Sequence, residues 1–384
     1  MAAMALIPEP IWNFFSFLIP FLVVLTIVVF IHEMGHFLVA RWCGVAVKAF
    51  SIGFGKEIYA WEDSKGTRWR LAWIPLGGYV KFMDDANGAS MPSQEAIKQM
   101  SPEERAGSFH AKPLWAKAAV VAAGPIANFL LTIVIFTGLF YFIGVREAAP
   151  RVDIVTPGQV AEKAGFKTGD MILEINGEKI PTFNALQRVV SVSFDRELTF
   201  KVKRGERILT LKATPQRREI KNRFGDTMKM GLIGIQRSND ATQWVQKSFS
   251  PVEALWKGST ETMYIVTRTV GYVRDVIVGR EDADQLGGPI RIAKVSGQAA
   301  SLGIVALIHL MAVLSVSVGI LNLLPIPMLD GGHLLFYAIE AVRRRPMSER
   351  SQEIGFRIGI ALVLMLMLFA TYNDIPIVVG WFTG

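Results

Sequence analysis

The sequence predicts a polytopic α-helical membrane protein with about four transmembrane helices, a membrane-associated β-hairpin region and one soluble α+β module. Hydrophobic residues occupy 51% of the 384 positions, and the mean hydropathy of +0.34 is high for a soluble protein of this length. Three segments without Asp, Glu, Lys or Arg are each long enough to cross a bilayer, at residues 11–31, 118–145 and 295–329.

The distribution of charge favours a membrane protein over a nucleic-acid-binding one, although the formal net charge is +8. Between Arg41 and Lys117 there are 11 Lys and Arg residues against 8 acidic residues. A second basic cluster follows the third apolar segment and comprises Arg343, Arg344, Arg345, Arg350 and Arg357. Basic residues beside membrane spans mark the cytoplasmic side, and we expect no nucleic-acid partner. The single cysteine, Cys43, excludes an internal disulfide and is interpreted as a buried or bystander thiol.

Residues 1–44 are predicted to hold transmembrane helix 1, which ends in His32-Glu33-Met34-Gly35-His36. Two histidines four residues apart on a helix face nearly the same side, and the glutamate lies one step round from the first. In this H-E-x-x-H pattern the two imidazoles bind zinc and the carboxylate transfers a proton. Ionisable groups in an apolar span are costly, so the pentapeptide is the leading functional-site hypothesis.

Residues 45–83 are predicted to form membrane-associated β-hairpins. Large and small or polar residues partly alternate in Ala49–Gly55 and Arg68–Trp73, and Glu62–Gly66 between them is typical of a turn. An irregular amphipathic loop is the alternative interpretation. The polar stretch 84–117 is predicted to be a cytoplasmic loop.

Residues 118–145 are predicted to form transmembrane helix 2, which contains Gly124-Pro125-Ile126-Ala127-Asn128. Small residues at this spacing permit close helix contact, and Asn128 could hydrogen-bond to another helix. An ordinary packing segment is the alternative.

Residues 150–215 are predicted to form the soluble module. Gly169-Asp170 precedes a strand that ends in Ile175-Asn176-Gly177, a turn signal, and a closing hairpin is expected around Arg204-Gly205-Glu206. This order of elements resembles a PDZ domain of the bacterial protease type. PDZ domains bind extended peptides by strand addition. The alternative is a β-rich spacer without a ligand.

The remaining chain contains a linker and two further spans. Residues 216–294 are interpreted as a linker with an amphipathic helix from Pro251 to Gly279, which either lies in the membrane interface or covers the module. Transmembrane helix 3 is placed at 295–333, where prolines and glycines interrupt the helix near its end. Transmembrane helix 4 is placed at 354–375.

A catalytic zinc ion takes three protein ligands and keeps one open position. Asp330 is the favoured third ligand, because it is an acid that closes an apolar run beside a broken helix. Both basic clusters are assigned to the cytoplasmic side, so an even number of crossings separates them and His36 can meet Asp330 at similar depth. His333 is the competing ligand.

Taken in order, these motifs resemble the site-2 protease family of zinc intramembrane metalloproteases, and most closely its bacterial regulator of sigma-E protease type. The resemblance is carried by His32–His36, Gly124–Asn128, the PDZ-like module and the stretch Asn322-Leu323-Leu324-Pro325-Ile326-Pro327-Met328-Leu329-Asp330-Gly331-Gly332. It covers nearly the whole chain. One departure is the single PDZ domain, where some relatives carry two.

The resemblance implies that His32, His36 and Asp330 bind Zn²⁺, that Glu33 is the general base and acid for a zinc-activated water, and that Asn322 helps to hold the substrate. It also implies a multi-pass protein of the bacterial inner membrane, with the active site toward the cytoplasm and the PDZ domain in the periplasm.

The expected substrates are transmembrane segments of single-span proteins, such as anti-sigma factors, after a first periplasmic cut. The lipid bilayer and a peptide ligand of the PDZ domain are the other expected partners. Two rival functions are a membrane PDZ scaffold with a non-catalytic metal site and a metal transporter, whose interrupted spans would look similar.

Overall fold

The computed structural model describes residues 9–84, 100–221, 227–238, 240, 244–280, 283 and 287–383. Within the predicted cytoplasmic loop, residues 85–99 therefore lie outside the described residues, as do short stretches of the predicted linker. The chain divides into two compact units. We call Met1–Gly138 with Val252–Gly384 the membrane unit, and Leu139–Pro251 the module.

The helices of the described residues are, in chain order, α1 Glu9–Trp42, α2 Pro102–Gly107, α3 Leu114–Gly138, α4 Val160–Lys163, α5 Phe183–Val192, α6 Pro251–Ile277, α7 Pro289–Ser301, α8 Ile304–Asn322, α9 Asp330–Arg343 and α10 Glu349–Thr383. A single π-helical turn, Leu139–Ile143, follows α3.

The strands of the same residues are β1 Val47–Glu62, β2 Arg68–Phe82, β3 Val145–Glu147, β4 Ile154–Val155, β5 Met171–Ile175, β6 Glu178–Lys179, β7 Leu198–Arg204, β8 Arg207–Ala213, β9 Gln216–Lys221, β10 Thr227–Leu232, β11 Ile235–Gln236 and β12 Val245–Lys247.

Four helical segments of the described chain are long and apolar enough to cross a membrane, which agrees with the predicted number. They are Phe15–Trp42, Leu114–Ile143, Ile304–Asn322 and Arg350–Ile377.

The third predicted segment, 295–333, differs in the structure because it is divided among α7, α8 and α9. Gly303 separates α7 from α8 with a φ of 111°, a value that L side chains rarely adopt. Only α8 within this segment has the length and hydropathy of a span.

Small residues bring α1 and α3 together. A Cβ atom added to Gly35 of α1 would lie 2.8 Å from the carbonyl carbon of Ala123, and one added to Gly124 of α3 would lie 2.8 Å from Cε1 of His32. Neither separation is tolerable for a real methyl group, so these glycines set the distance between the two helices. The close helix contact expected from the Gly124–Asn128 segment is therefore present.

The helix α6 corresponds to the expected amphipathic helix and packs against α3. Its buried residues Ala254, Gly258 and Thr262 recur every four positions and form one face. A Cβ added to Gly258 would lie 2.9 Å from the backbone nitrogen of Thr137 in α3. Apart from Pro251, α6 belongs to the membrane unit rather than to the module.

A buried carboxylate ties α10 to the start of α7. Asp374 is fully buried and accepts hydrogen bonds of 3.0 Å from the backbone N–H groups of Gly288, Ile290 and Arg291. These N–H groups have no partner inside their own helix, and the positive end of the helix dipole favours an anion there. Asp374 thus acts as an N-cap supplied by another helix.

β1 and β2 form an irregular sheet rather than a loop. Gly53 and Gly55 bend β1 with φ of 86° and 91°. As a result, residues 47–52 of β1 pair with 78–82 of β2 on one side. Residues 49–52 pair with 68–71 on the other side, and 59–62 also pair with 68–71. Among the described residues, the segment 78–82 has one strand neighbour and forms an edge of the sheet.

The sheet is tied to the end of α1 by a polar cluster. The Arg41 guanidinium pairs with the carboxylate of Asp63 and donates to Thr67 Oγ1 at 2.8 Å, and Thr67 Oγ1 donates to the carbonyl of Val47 at 2.7 Å. Burial raises the pKa of Asp63, but hydrogen bonds from Trp69, Thr67, Lys65 and Arg41 outweigh this effect and lower the pKa to about 2.

The module has its own core and a four-stranded antiparallel sheet in the order β6-β5-β7-β8. Asn176 and Gly177 join β5 to β6 with φ of 52° and 87°, the positive values of the hairpin turn that the Asn-Gly pair predicts. The compact unit also includes β9 to β12, and so extends beyond the predicted range 150–215.

We expect Asp63→Asn to destabilise the protein by about 1–3 kcal/mol at neutral pH, the usual cost of removing a charged hydrogen-bond partner. Because folding depresses the Asp63 pKa from 3.8 to about 2, its contribution is present above pH 4 and is lost as the pH falls toward 2. Thermal unfolding of wild type and variant in detergent, from pH 2 to 7, measures this difference.

Glu62→Gln is the matched control, since its side chain is 64% exposed and its ion pair within the described residues is a 3.6 Å contact with Arg68. The polar cluster would not stabilise the protein as described if Asp63→Asn lowered the stability no more than Glu62→Gln does. The same conclusion would follow if the loss of stability persisted unchanged at pH 2.

Candidate metal centre

The side chains of His32 and His36 converge on one side of α1. They are one helical turn apart, their rings meet edge to face with centroids 4.8 Å apart, and their Nε2 atoms are separated by 3.2 Å. Only 10% and 13% of the two side chains are exposed. The spacing of the motif therefore gives two ring nitrogens directed at one point.

Asp330, the first residue of α9, completes the cluster. Its Oδ2 atom lies 3.2 Å from Nε2 of His32 and 3.6 Å from Nε2 of His36. Oδ2 is buried and makes no hydrogen bond among the described residues. An uncompensated buried carboxylate oxygen is costly, and a cation between the three atoms would satisfy it.

The triangle formed by these three atoms fits zinc. A tetrahedral zinc ion with bonds of about 2.0–2.1 Å holds its ligand atoms about 3.3 Å apart. The three separations of 3.2, 3.2 and 3.6 Å are close to this value. In the part of the chain that the structure describes, these residues form the one group of three or more His, Cys, Asp or Glu residues with spacing suitable for a metal.

α3 orients both histidine rings through contacts at their Nδ1 atoms. Nδ1 of His36 lies 2.8 Å from the carbonyl oxygen of Val120, so Nδ1–H donates there and Nε2 is left free for a metal. Nδ1 of His32 lies 3.2 Å from the carboxamide of Asn128. Gly124 makes these contacts possible, because any side chain there would overlap both rings. The sequence marked Gly124 for helix packing but gave no sign that it faces the histidines.

Glu33 lies beside the ligands but outside the cluster of three. Its Cγ atom would be 3.2 Å from a Cβ placed on Gly78, and the backbone N–H of Val80 hydrogen-bonds to its carboxylate. Both residues belong to the edge segment of β2. The carboxylate is thus held between the metal ligands and a strand edge, where it can exchange a proton with a reacting group.

A compact turn between α8 and α9 positions Asp330 beside the histidines. Met328 has a φ of 100°, and Gly331 and Gly332 are buried against the carbonyl groups of the turn. A Cβ on Gly332 would lie 2.6 Å from the carbonyl carbon of Ile326. The two glycines after the aspartate are therefore required by backbone contact, which explains this part of the motif.

Two predicted candidates, His333 and Asn322, and a third residue, His309, lie outside this cluster. His333, the competing ligand, is on α9 with its ring 6.5 Å from Tyr337 and is not in the group of metal-spaced residues. Asn322 is half-buried at the end of α8, and no hydrogen bond joins its side chain to the cluster within the described residues. His309 packs against Phe136 with centroids 5.3 Å apart.

Comparison with known proteins agrees with this centre. A family model described as peptidase family M50 matches residues 20–366. The chain belongs to peptidase family M50. A protein of Agrobacterium fabrum named "Putative zinc metalloprotease Atu1380" is 48% identical over 365 residues, which cover 95% of this chain and 97% of the relative.

Metalloprotease MmpA of Caulobacter vibrioides is 38% identical over 385 residues, covering 94% of this chain and 96% of that protein. The M50 chain is therefore a metalloprotease with zinc as its cofactor, as the H-E-x-x-H motif and the resemblance to site-2 proteases predicted.

We expect His32→Ala and Asp330→Ala to abolish stoichiometric zinc binding, because each removes one of three ligands. Metal analysis of purified protein by mass spectrometry tests this, with circular dichroism to confirm that the helices remain. His333→Ala is the control and should retain zinc. Loss of zinc from His333→Ala together with retention in Asp330→Ala would exchange the roles of these two residues.

Proposed function

We propose that this M50 metalloprotease is an intramembrane endopeptidase that cleaves the transmembrane segments of single-span proteins. The observation that carries the proposal is the position of the ligands. His32 and His36 lie within the apolar segment Phe15–Trp42, which is long enough to cross a membrane. Ligands at such a position serve a reaction within the membrane more readily than one in bulk water.

The residues of the chain divide the chemistry among them. His32, His36 and Asp330 would hold zinc, which polarises the scissile carbonyl and makes a water molecule more acidic. Glu33 accepts the proton of the attacking water and passes it to the leaving amine. The N–H of Val80 fixes the Glu33 carboxylate beside the ligands, so that the base need not reorganise during the reaction.

The substrate would be held by strand addition. A transmembrane segment enters as a helix whose carbonyl groups are already hydrogen-bonded, so it must be extended before attack. The segment 78–82 of β2 is a sheet edge, and Gly78 lies next to Glu33. A sheet edge pairs with an extended peptide through its backbone groups. Substrate bound there would present its main chain to the base.

The module is proposed to be a single PDZ domain. Its four-stranded antiparallel sheet, the short helix α4 and the longer helix α5 support this assignment. The basic clusters beside the first and third spans favour an active site toward the cytoplasm and a module in the periplasm. In that position the module would dock or filter proteins in the bacterial inner membrane.

This cleavage is proposed to be the second of two successive proteolytic cuts in the same substrate. A periplasmic protease would first shorten the substrate, such as an anti-sigma factor, and the M50 enzyme would then cut the remaining transmembrane segment. Asn322, near the turn that carries Asp330, is proposed to contact the extended substrate.

We expect Glu33→Gln to reduce cleavage of a model transmembrane substrate by at least about 100-fold, because general acid–base catalysis is lost. The variant should keep its zinc, since Glu33 is outside the group of three ligands. Cleavage is followed by gel mobility of the product in proteoliposomes, and zinc by metal analysis. Equal rates in wild type and variant would favour the scaffold function over the protease.

We expect single prolines at Tyr79 and Lys81 to slow cleavage without loss of zinc. Proline removes a backbone donor from the strand. Val80 is left unchanged, because its N–H holds the Glu33 carboxylate and its loss would slow cleavage by another route. Alanine at each position is the matched control, because it removes the side chain but keeps the N–H. Proline variants as active as their alanine partners would refute strand addition.

A further inference from the structure

Asn128 is a polar residue in the middle of the apolar helix α3, and it is fully buried. Its side chain makes one hydrogen-bond contact among the described residues, between Nδ2 and Nδ1 of His32 at 3.2 Å. Its other polar atom, Oδ1, has no partner there. The carboxamide therefore contacts the His32 imidazole of α1. Within the described residues, its side-chain atoms make no hydrogen bond to a further helix.

The backbone of Asn128 is fixed by two hydroxyl groups. Ser315 of α8 donates to the carbonyl oxygen of Asn128 at 2.9 Å, and Thr132 of α3 donates to the same oxygen at 3.0 Å. Thr132 Oγ1 also lies 3.0 Å from the carbonyl oxygen of Ala312 in α8. These contacts hold the start of the Asn128 side chain at a defined distance from His32.

Helix packing alone does not account for a carboxamide at this position. A buried amide that leaves one polar atom unpaired is less favourable than an apolar side chain of similar volume, such as leucine. The neighbouring buried residues Val120, Val121 and Ala123 show that apolar side chains are accepted on this part of α3. The contact with His32 is therefore the feature that distinguishes asparagine from leucine.

The chemistry of a metal-binding imidazole defines what the partner must do. When Nε2 gives its lone pair to a metal, Nδ1 carries the ring proton and needs a hydrogen-bond acceptor. A carboxamide can present either its oxygen acceptor or its NH₂ donor by rotation about its terminal bond. Asn128 can therefore turn Oδ1 toward a protonated Nδ1 without any movement of the helix.

We infer that Asn128 is a positioning residue for His32, which accepts the Nδ1 hydrogen through Oδ1 and so directs Nε2 toward His36 and Asp330. This inference rests on the zinc-binding role of His32 in the proposed function. His36 has an equivalent acceptor in the carbonyl of Val120. Both rings are thus oriented by α3, but only the partner of His32 is a side chain that mutation can change.

Three variants separate this role from packing. Asn128→Asp keeps an acceptor of the same shape, Asn128→Leu keeps the volume without an acceptor, and Asn128→Ala is a second variant without one. Thr137→Val is the matched control, because it removes a buried hydroxyl from the same helix without contact to His32 or Asn128. The full-length protein is purified in detergent, and thermal unfolding of the chelator-treated protein confirms that each variant is folded.

Zinc affinity is measured by competition with a chromogenic chelator, and the geometry of the site by the visible spectrum of bound Co²⁺. Asn128→Leu and Asn128→Ala should lose 10- to 100-fold in zinc affinity, the usual effect of removing a partner of a metal-ligating histidine. Asn128→Asp should restore the affinity to within about 3-fold of wild type. Thr137→Val should leave affinity and spectrum unchanged.

Zinc affinity of Asn128→Leu or Asn128→Ala equal to that of wild type would overturn the inference. So would an Asn128→Asp variant as weak as the acceptor-free variants. Both results would leave the proposed function intact as long as His32→Ala still loses zinc. Retention of zinc and cleavage by His32→Ala would instead overturn the proposed function itself.

Discussion

The close approach of α1 and α3 at Gly35 and Gly124 is the contact on which the rest of the site depends. With no side chain at either position, the two imidazoles of α1 lie directly against the backbone of α3. That distance brings the Val120 carbonyl and the Asn128 carboxamide within reach of the ring nitrogens. A larger residue at Gly124 would separate the histidines from the groups that orient them, even though it touches neither Asp330 nor Glu33.

Two acids of the membrane unit are compensated by protein groups. Asp374 is paired with the free N–H groups at the start of α7, and Arg41 with the hairpin residues Asp63 and Thr67. The one carboxylate oxygen left without a hydrogen bond in the described ligand cluster belongs to Asp330. These two structural acids therefore have protein partners, whereas the Asp330 oxygen points to the place that zinc fits.

Features set by local sequence could be predicted, because helical periodicity fixes which residues share a face. The pairing of His32 with His36 is of this kind, and so are the uncharged spans and the Asn176-Gly177 turn. Asp330 was accessible through chemistry, as an acid beside a broken helix. The position of Asp330 next to the histidines depends on the turn through Met328. The distribution of charged residues in the sequence does not predict that turn.

Other features depend on tertiary contacts and left no local pattern. The two-sided pairing of residues 47–52 and the N-cap from Asp374 each join residues distant in sequence. The short edge at 78–82 has a consequence for selectivity. This edge consists of five residues whose backbone groups hydrogen-bond to the main chain of a partner, so it recognises an extended conformation rather than particular side chains. If substrates bind there, the enzyme would select those whose transmembrane helices unfold most easily. Glycine, proline or asparagine near the cleavage site would then determine selection more than a consensus sequence does.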